Sequence, residues 1–307
     1  MDITSSDSAG PIAGRASITG TESYADRFVE LDPDHFRFCH GLIHSSLGMG
    51  TYLGEATDET DARYIECLLR ALGMGCNVID TAINYRFQRS EKSVGRGLRR
   101  ALESGYSREE FIVCTKGGYI PFEDSYPAYP YQWVEENLLR KRVITPEDIH
   151  PSGHCIAPMY LDHQVEQSLR NLQLETIDIY YIHNPETQMS ELNEPRFYEA
   201  MEMAFRMLEA KVKEGRIARY GIATWDGLTE SQGSGVLQLE RLVHLARRAG
   251  GEQHHFSMVQ LPINLAMTDA MNEATQQLGE SRVTVLEAAR ALNLGVVGSA
   301  SLLQQNL

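Results

Sequence analysis

No stretch of the 307 residues stays apolar long enough to span a bilayer, so no membrane partner is expected. Basic residues are scarce: 28 Lys and Arg stand against 42 Asp and Glu, a formal net charge of −14. That balance argues against a general nucleic-acid or anionic-membrane surface, although a local basic pocket remains compatible with it. No Cys-x-x-Cys pair occurs, and the five cysteines (Cys39, Cys67, Cys76, Cys114, Cys155) are odd in number. Cys67 and Cys114 adjoin apolar residues, a common setting for a buried thiol. A reducing, cytoplasmic setting is therefore expected. Residues 1–20 lack a charged-then-apolar leader and are rich in Ser, Gly, Ala and Thr. They read as mobile, and the tail is taken to residue 35. His150, His154 and Cys155, and His254 with His255, are close in sequence, but no matched second cluster gives them metal-ligand spacing, so no metal is expected.

What is there is ordinary globular composition, 42% hydrophobic and 23% charged, in a chain long enough for a large core. Length alone allows two domains, but α/β barrels of this size are often one. Residues 36–46 mix aromatic and β-branched residues around Gly41 and predict a small hairpin. Leu47-Gly-Met-Gly-Thr-Tyr-Leu-Gly54 follows. Its third glycine is misplaced for a dinucleotide fingerprint, and close backbone approach is the better reading.

From there helix and strand alternate. Apolar spacing predicts helices over 61–72, 90–103 (with Ser90 as a cap), 161–172, 197–214, 236–249 and 283–292. Short apolar runs predict strands ending at Asp80, Lys116, His183, Thr224, Leu261 and Ser299. With the segment near Leu47 the strands number seven. Strands too apolar for an exposed face imply a parallel sheet covered by helices. A closed (β/α)8 barrel needs eight strands, and a doubly wound open sheet competes with it; periodicity does not separate the two. The exception to the alternation is a Pro- and Tyr-rich stretch over 119–158, read as an insertion; so long an insertion is more often functional than idle.

In a parallel barrel, chemistry gathers at the C-terminal strand ends. Those ends carry Asp80 with Tyr85 five residues on, Lys116, His183 with Asn184, Thr224 and Gln260. Each alone has a bland reading, as a satisfied structural Asp, a packing Tyr, an ion-paired Lys or a hydrogen-bonded core His. Four ionisable groups at the same end of successive βα units point further. A neighbouring ammonium would lower the phenol's pKa, a carboxylate would hold the lysine, and the histidine could orient a carbonyl oxygen. The tyrosine would protonate the oxygen that becomes negative when hydride reaches the carbonyl carbon; no side chain supplies hydride, so a nicotinamide would be needed.

These residues resemble the aldo-keto reductase family. The motifs are Leu47-Gly-Met-Gly-Thr, Ile79-Asp-Thr-Ala-x-x-Tyr85, Thr115-Lys116, Tyr181-Ile-His-Asn-Pro-Glu186 and Tyr220-Gly-Ile-Ala-Thr-Trp225, and the resemblance covers roughly 36–307. It implies one TIM-type barrel domain, incomplete at the C-terminus, that uses NADPH to reduce a small aldehyde or ketone. It assigns the family's tetrad to Asp80, Tyr85, Lys116 and His183, with Tyr85 the proton donor. It places Gly50, Thr51, Tyr52, Asp80, Asn184, Thr224, Gln260, Ser299 and Ser301 against the cofactor, and the 119–158 insertion beside the substrate mouth.

Ala223-Thr224 stands where the family often has Ser-Asn, and Ser299 where a tyrosine often stacks on the nicotinamide. The eighth strand and the cofactor-gripping groups that follow it in the family have no counterpart after Ser299. The alternatives are a weak or inactive relative used as a binding or regulatory protein, and a barrel lyase or isomerase with Lys116 as a Schiff base.

Overall fold

A computed structural model of the chain describes residues 10–229 and 236–305. The chain opens with helix α1 (Ile18–Ala25) and the antiparallel hairpin β1 (Phe36–Cys39) and β2 (Leu42–Ser45). Then come β3 (Gly48–Gly50), α2 (Asp58–Leu72), β4 (Val78–Asp80), α3 (Arg89–Glu103) and β5 (Ile112–Gly117). Inside the insertion lies a short helix α4 (Pro130–Val134), continued by a π-helical turn. Beyond it run α5 (Pro158–Leu172), β6 (Ile177–His183), α6 (Glu194–Lys213), β7 (Ile217–Ala223), α7 (Leu239–Gly250) and β8 (Phe256–Pro262). A short helix α8 (Asp269–Asn272), a second hairpin β9 (Gln276–Leu278) and β10 (Ser281–Val283), α9 (Val285–Ala291) and β11 (Gly295–Ser299) complete the described elements.

Seven strands form one sheet in the order β11-β8-β7-β6-β5-β4-β3, every neighbouring pair parallel. The sheet is curled. Gln260 Nε2 on β8 donates to Asp80 Oδ1 on β4 at 3.1 Å. In a flat sheet, four strand spacings of about 4.8 Å would put those strands roughly 19 Å apart. The contact excludes the doubly wound alternative and gives a barrel wall of seven strands. Among the described residues β3 and β11 have no partner on their outer sides.

Side chains alternate across this wall. The outward set, including Ile79, Val113, Tyr180, Ile182 and Ile222, packs on the helices in the main core. The inward set, including Val78, Ile112, Cys114, Ile179, Tyr181 and Met258, fills the barrel and meets Leu42 of the hairpin. Asn77, just before β4, exchanges two hydrogen bonds with Ser45, and this seats the hairpin at the N-terminal end of the sheet. The opposite end is left for the site.

The predicted tail is corrected from residue 10 onward. Ile12 bridges Leu174, the Ala16 N–H donates to Asp178 at 2.7 Å, and the fully buried Tyr24 donates to the Leu72 carbonyl at 2.6 Å. The apolar surface of Ile12 and Tyr24 explains the packing; residues 1–9 lie outside the described residues. Ser90 does not cap α3. Gln88 precedes that helix in a left-handed conformation, and the Ser90 hydroxyl donates instead to the Thr51 carbonyl at 2.7 Å. Cys114 is buried as expected, but Cys67 is exposed on α2, and all five cysteines are free. Among the described residues no helix is long and apolar enough to cross a membrane.

Candidate active site

Inward alternation puts Asp80, Lys116, His183 and Gln260 on the same side of the wall at its C-terminal end. Lys116 is 1% exposed. Its ammonium donates to Asp80 Oδ2 at 2.6 Å and to the Thr81 carbonyl at 2.8 Å. Burial alone would drive the lysine toward its neutral form; the negative charge of Asp80 and the nearby Tyr85 outweigh it, and its pKa is raised. Gln260 occupies the other oxygen of Asp80. The two charges are thus held by each other and by fixed dipoles.

Tyr85 sits in the loop after β4. Arg86, Phe87 and Gln88, which follow it, all have positive φ (48°, 57° and 69°), a costly conformation for bulky residues. Side-chain bonds hold that turn in place. Arg86 pairs with Asp61 at 2.6 Å, Gln88 donates to the Pro121 carbonyl at 2.9 Å, and Asn171 donates to Gln88 at 3.0 Å. The Tyr85 ring then lies with its centroid 5.0 Å from Lys116 Nζ and 5.8 Å from the His183 ring, with Tyr52 edge-on at 5.1 Å. The expected lowering of its pKa is not met. Burial raises it, and the opposing effect of Lys116 does not fully offset that. Tyr85 therefore stays a protonated phenol at neutral pH.

His183 is held neutral: burial, then the positive Lys116, push its pKa well below the usual value. Its Nδ1 is buried without a hydrogen-bond partner among the described residues. Aromatic edges pack against its ring instead, Tyr85 as above and Tyr119 at 5.3 Å between centroids.

Of the residues expected at a cofactor, Gly50 pairs with Asp80 across β3 and β4, and open space lies where a side chain would stand. Tyr52 is exposed beside Tyr85. Asn184 takes a left-handed conformation (φ 43°), and its amide donates to the Tyr119 hydroxyl at 3.1 Å. The hydroxyl of Thr51 is buried and donates to Thr81, so it faces the structure rather than the mouth. Thr224 is buried, with its hydroxyl accepting from the Gly227 N–H at 3.0 Å. Ser299 ends β11 opposite Pro262, and Ser301 is exposed and bonded only within its own turn. Among the described residues no contact brings either serine to Asp80, Tyr85, Lys116 or His183.

Several residues around the site were given no role in it from sequence. Glu91 is fully buried behind Lys116, accepting from Thr115 at 2.6 Å and Asn171 at 2.8 Å, with its pKa raised by burial. Glu186 accepts from the Trp225 N–H at 2.9 Å and so ties down the loop after β7. Tyr119 and His154 lie in the insertion, where the pattern lapses. An inward-facing Glu on an otherwise apolar helix face was the available signal for Glu91. His150, His154 and Cys155 do not converge on an ion: His154 is spent on protein partners, and among the described residues no group of His, Cys, Asp and Glu could hold a metal.

A curled parallel sheet with its ionisable groups at the C-terminal strand ends belongs to the α/β-barrel class. A family profile described as the aldo/keto reductase family matches residues 46–304, most of the chain, and the chain belongs to that family. It is similar to aldo-keto reductase YhdN of Bacillus subtilis, 30% identical over 48% of this chain and 36% of that protein. It is also similar to the NADH-specific methylglyoxal reductase of Escherichia coli, 27% identical over 59% of this chain and 49% of that protein. The chain thus spans about a third to a half of the length of these curated relatives. Among solved structures, an aldo/keto reductase from Klebsiella pneumoniae in complex with NADP and acetate matches with TM-score 0.53 at 19% identity, covering 86% of this chain and 66% of that one. That match supports the fold.

Proposed function

We propose that the chain carries an NADPH-dependent carbonyl reductase site that converts a small aldehyde or ketone to its alcohol, with Tyr85 as proton donor. One observation carries the reading: the Lys116–Asp80 pair, 2.6 Å apart with the lysine buried, stands beside a protonated phenol whose ring also meets a neutral imidazole edge-on. A nicotinamide, when bound, supplies the hydride that no side chain can. The strand ends suit its reactive end. Gly50 leaves room at the backbone, Asn184 offers an amide, and His183 Nδ1 has no protein partner.

As the carbonyl carbon is reduced, its oxygen takes up the π electron pair. Tyr85 gives its phenolic proton to that oxygen, and the phenolate left behind is stabilised by the Lys116 ammonium. Asp80 keeps Lys116 charged and aimed. His183, neutral, orients the carbonyl oxygen without competing for the proton. The free cysteines support a cytoplasmic setting.

The test is NADPH consumption with methylglyoxal as probe carbonyl. Tyr85→Phe should lower turnover by about 10²-fold or more while leaving NADPH binding intact, because it removes the proton and little volume. Near-normal turnover in that variant would overturn the assignment of Tyr85. Absence of NADPH-dependent turnover in the unaltered chain would count against the reductase reading.

A further inference from the structure

The insertion is pinched at its ends. Tyr119 and His154 form an antiparallel bridge, the Ile120 N–H donates to the Gly153 carbonyl at 2.8 Å, and the Cys155 N–H donates to the Gly118 carbonyl at 2.7 Å. Both bridged residues turn toward His183. The Tyr119 ring stands edge-on to the rings of His183 and His154, with centroids 5.3 Å and 4.8 Å away. Its hydroxyl is shared with the Asn184 amide at 3.1 Å and with Thr187 at 3.3 Å. Its carbonyl accepts from Tyr160 at 2.9 Å and Gln164 at 2.7 Å. The ring is therefore fixed at both its hydroxyl and its backbone.

His154 is fully buried, with Nε2 2.7 Å from the His183 carbonyl oxygen. A carbonyl only accepts, so Nε2 carries the proton. Burial pushes the imidazole down to about 4, so the ring is neutral and Nδ1 is bare. Gln188 meets that bare nitrogen with its amide at 2.8 Å, and the same amide donates to the His154 carbonyl at 3.0 Å. The chain also leaves no slack at this point. A Cβ on Gly118, whose φ is +146°, would lie 2.7 Å from His154 Nε2 and 3.0 Å from the His183 carbonyl oxygen.

His183 itself has no hydrogen bond to Nδ1, so packing and its backbone must set the ring's direction. We infer that Tyr119 and His154, the two closing residues of the insertion, are positioning residues for His183: His154 fixes its backbone carbonyl and Tyr119 fixes its ring and the amide of Asn184. The insertion thereby sets the geometry of the proposed reducing site as well as bordering its mouth. The inference rests on the proposed reductase reading for its kinetic consequence, but the clamp can be observed without turnover.

The test uses the full chain with ¹⁵N-labelled histidine. In the unaltered protein, His154 should show the Nε2–H tautomer and stay neutral through pH 5. The opposite tautomer, or a solvent-like titration near pH 6.5, would overturn the inference, and this arm needs no variant to fold. In His154→Phe the ring survives but the donor is lost; the His183 ring signals should shift, and turnover of methylglyoxal should fall by about 10-fold to 10²-fold, in kcat rather than KM. His154→Gln, which can place an amide donor near the lost Nε2–H, should recover most of both. Unchanged His183 signals in folded His154→Phe would refute the clamp whether or not the chain turns over. Shifted signals in a chain without turnover would support the clamp and count against the reductase reading instead.

Discussion

Lys116 keeps its charge inside the barrel because Asp80 is 2.6 Å away, whereas the imidazoles nearby have no acid and lose theirs. That difference makes stability pH-dependent. His154 is held at about 4 in the folded chain by burial, against an ordinary 6.5. Between those values the unfolded chain binds a proton that folded His154 refuses, so stability falls as pH drops from 6.5 toward 4 and levels off below. The loss from this one residue is on the order of 3 kcal/mol. His44, partly buried and held at about 4, adds a loss of the same sign. Urea unfolding at several pH values should show the decline, and His154→Gln should make it shallower; an equally steep decline in the variant would contradict the assignment to His154. At this scale the shared placement of Asp80, Lys116 and His183 was legible because strand periodicity fixes which residues end a strand. Tyr119 and His154 were not legible, because they meet His183 across sequence separations that no local pattern encodes. The direction of the Tyr85 shift was misjudged for a related reason: the charge of Lys116 can be read from sequence, but the extent of burial cannot.

The elements that carry the site are held by close backbone approach. α3 follows the Tyr85 loop and packs on α5 through Gly95, where a Cβ would lie 2.7 Å from the Asn171 carbonyl oxygen and 2.8 Å from the backbone of Leu172. Gly95→Ala should therefore destabilise the protein by about 1–3 kcal/mol, even though alanine is the better helix former. Chemical denaturation would check this, and equal or greater stability would show that the contact relaxes freely. Long helices such as 61–72 and 197–214 were legible because their apolar spacing repeats over several turns, and the structure extends each at its N-terminus, to Asp58 and Glu194. The start of α3 was misread because Ser90 has the chemistry of a cap, while the left-handed turn before it is set by Arg86 and Gln88 reaching distant partners. The insertion gave no periodic signal, since its helical turns are short and it packs as a small cluster of its own around Leu138, Ile144, Cys155 and Tyr160.

At the scale of the molecule, seven strands curl far enough for β4 and β8 to touch across the interior, and the ionisable groups converge within that curl. Strand count and parallel order were legible from alternation; the curl was not, because periodicity is the same in a barrel and an open sheet. The nicotinamide end of the proposed groove is built from β3, β4, β6 and β8. The central claim is that this wall forms a working cofactor groove. A fluorescence titration of the purified chain with NADPH, with NADH alongside, tests it most directly. The account predicts saturable binding of NADPH. A folded chain that binds neither nucleotide would contradict it.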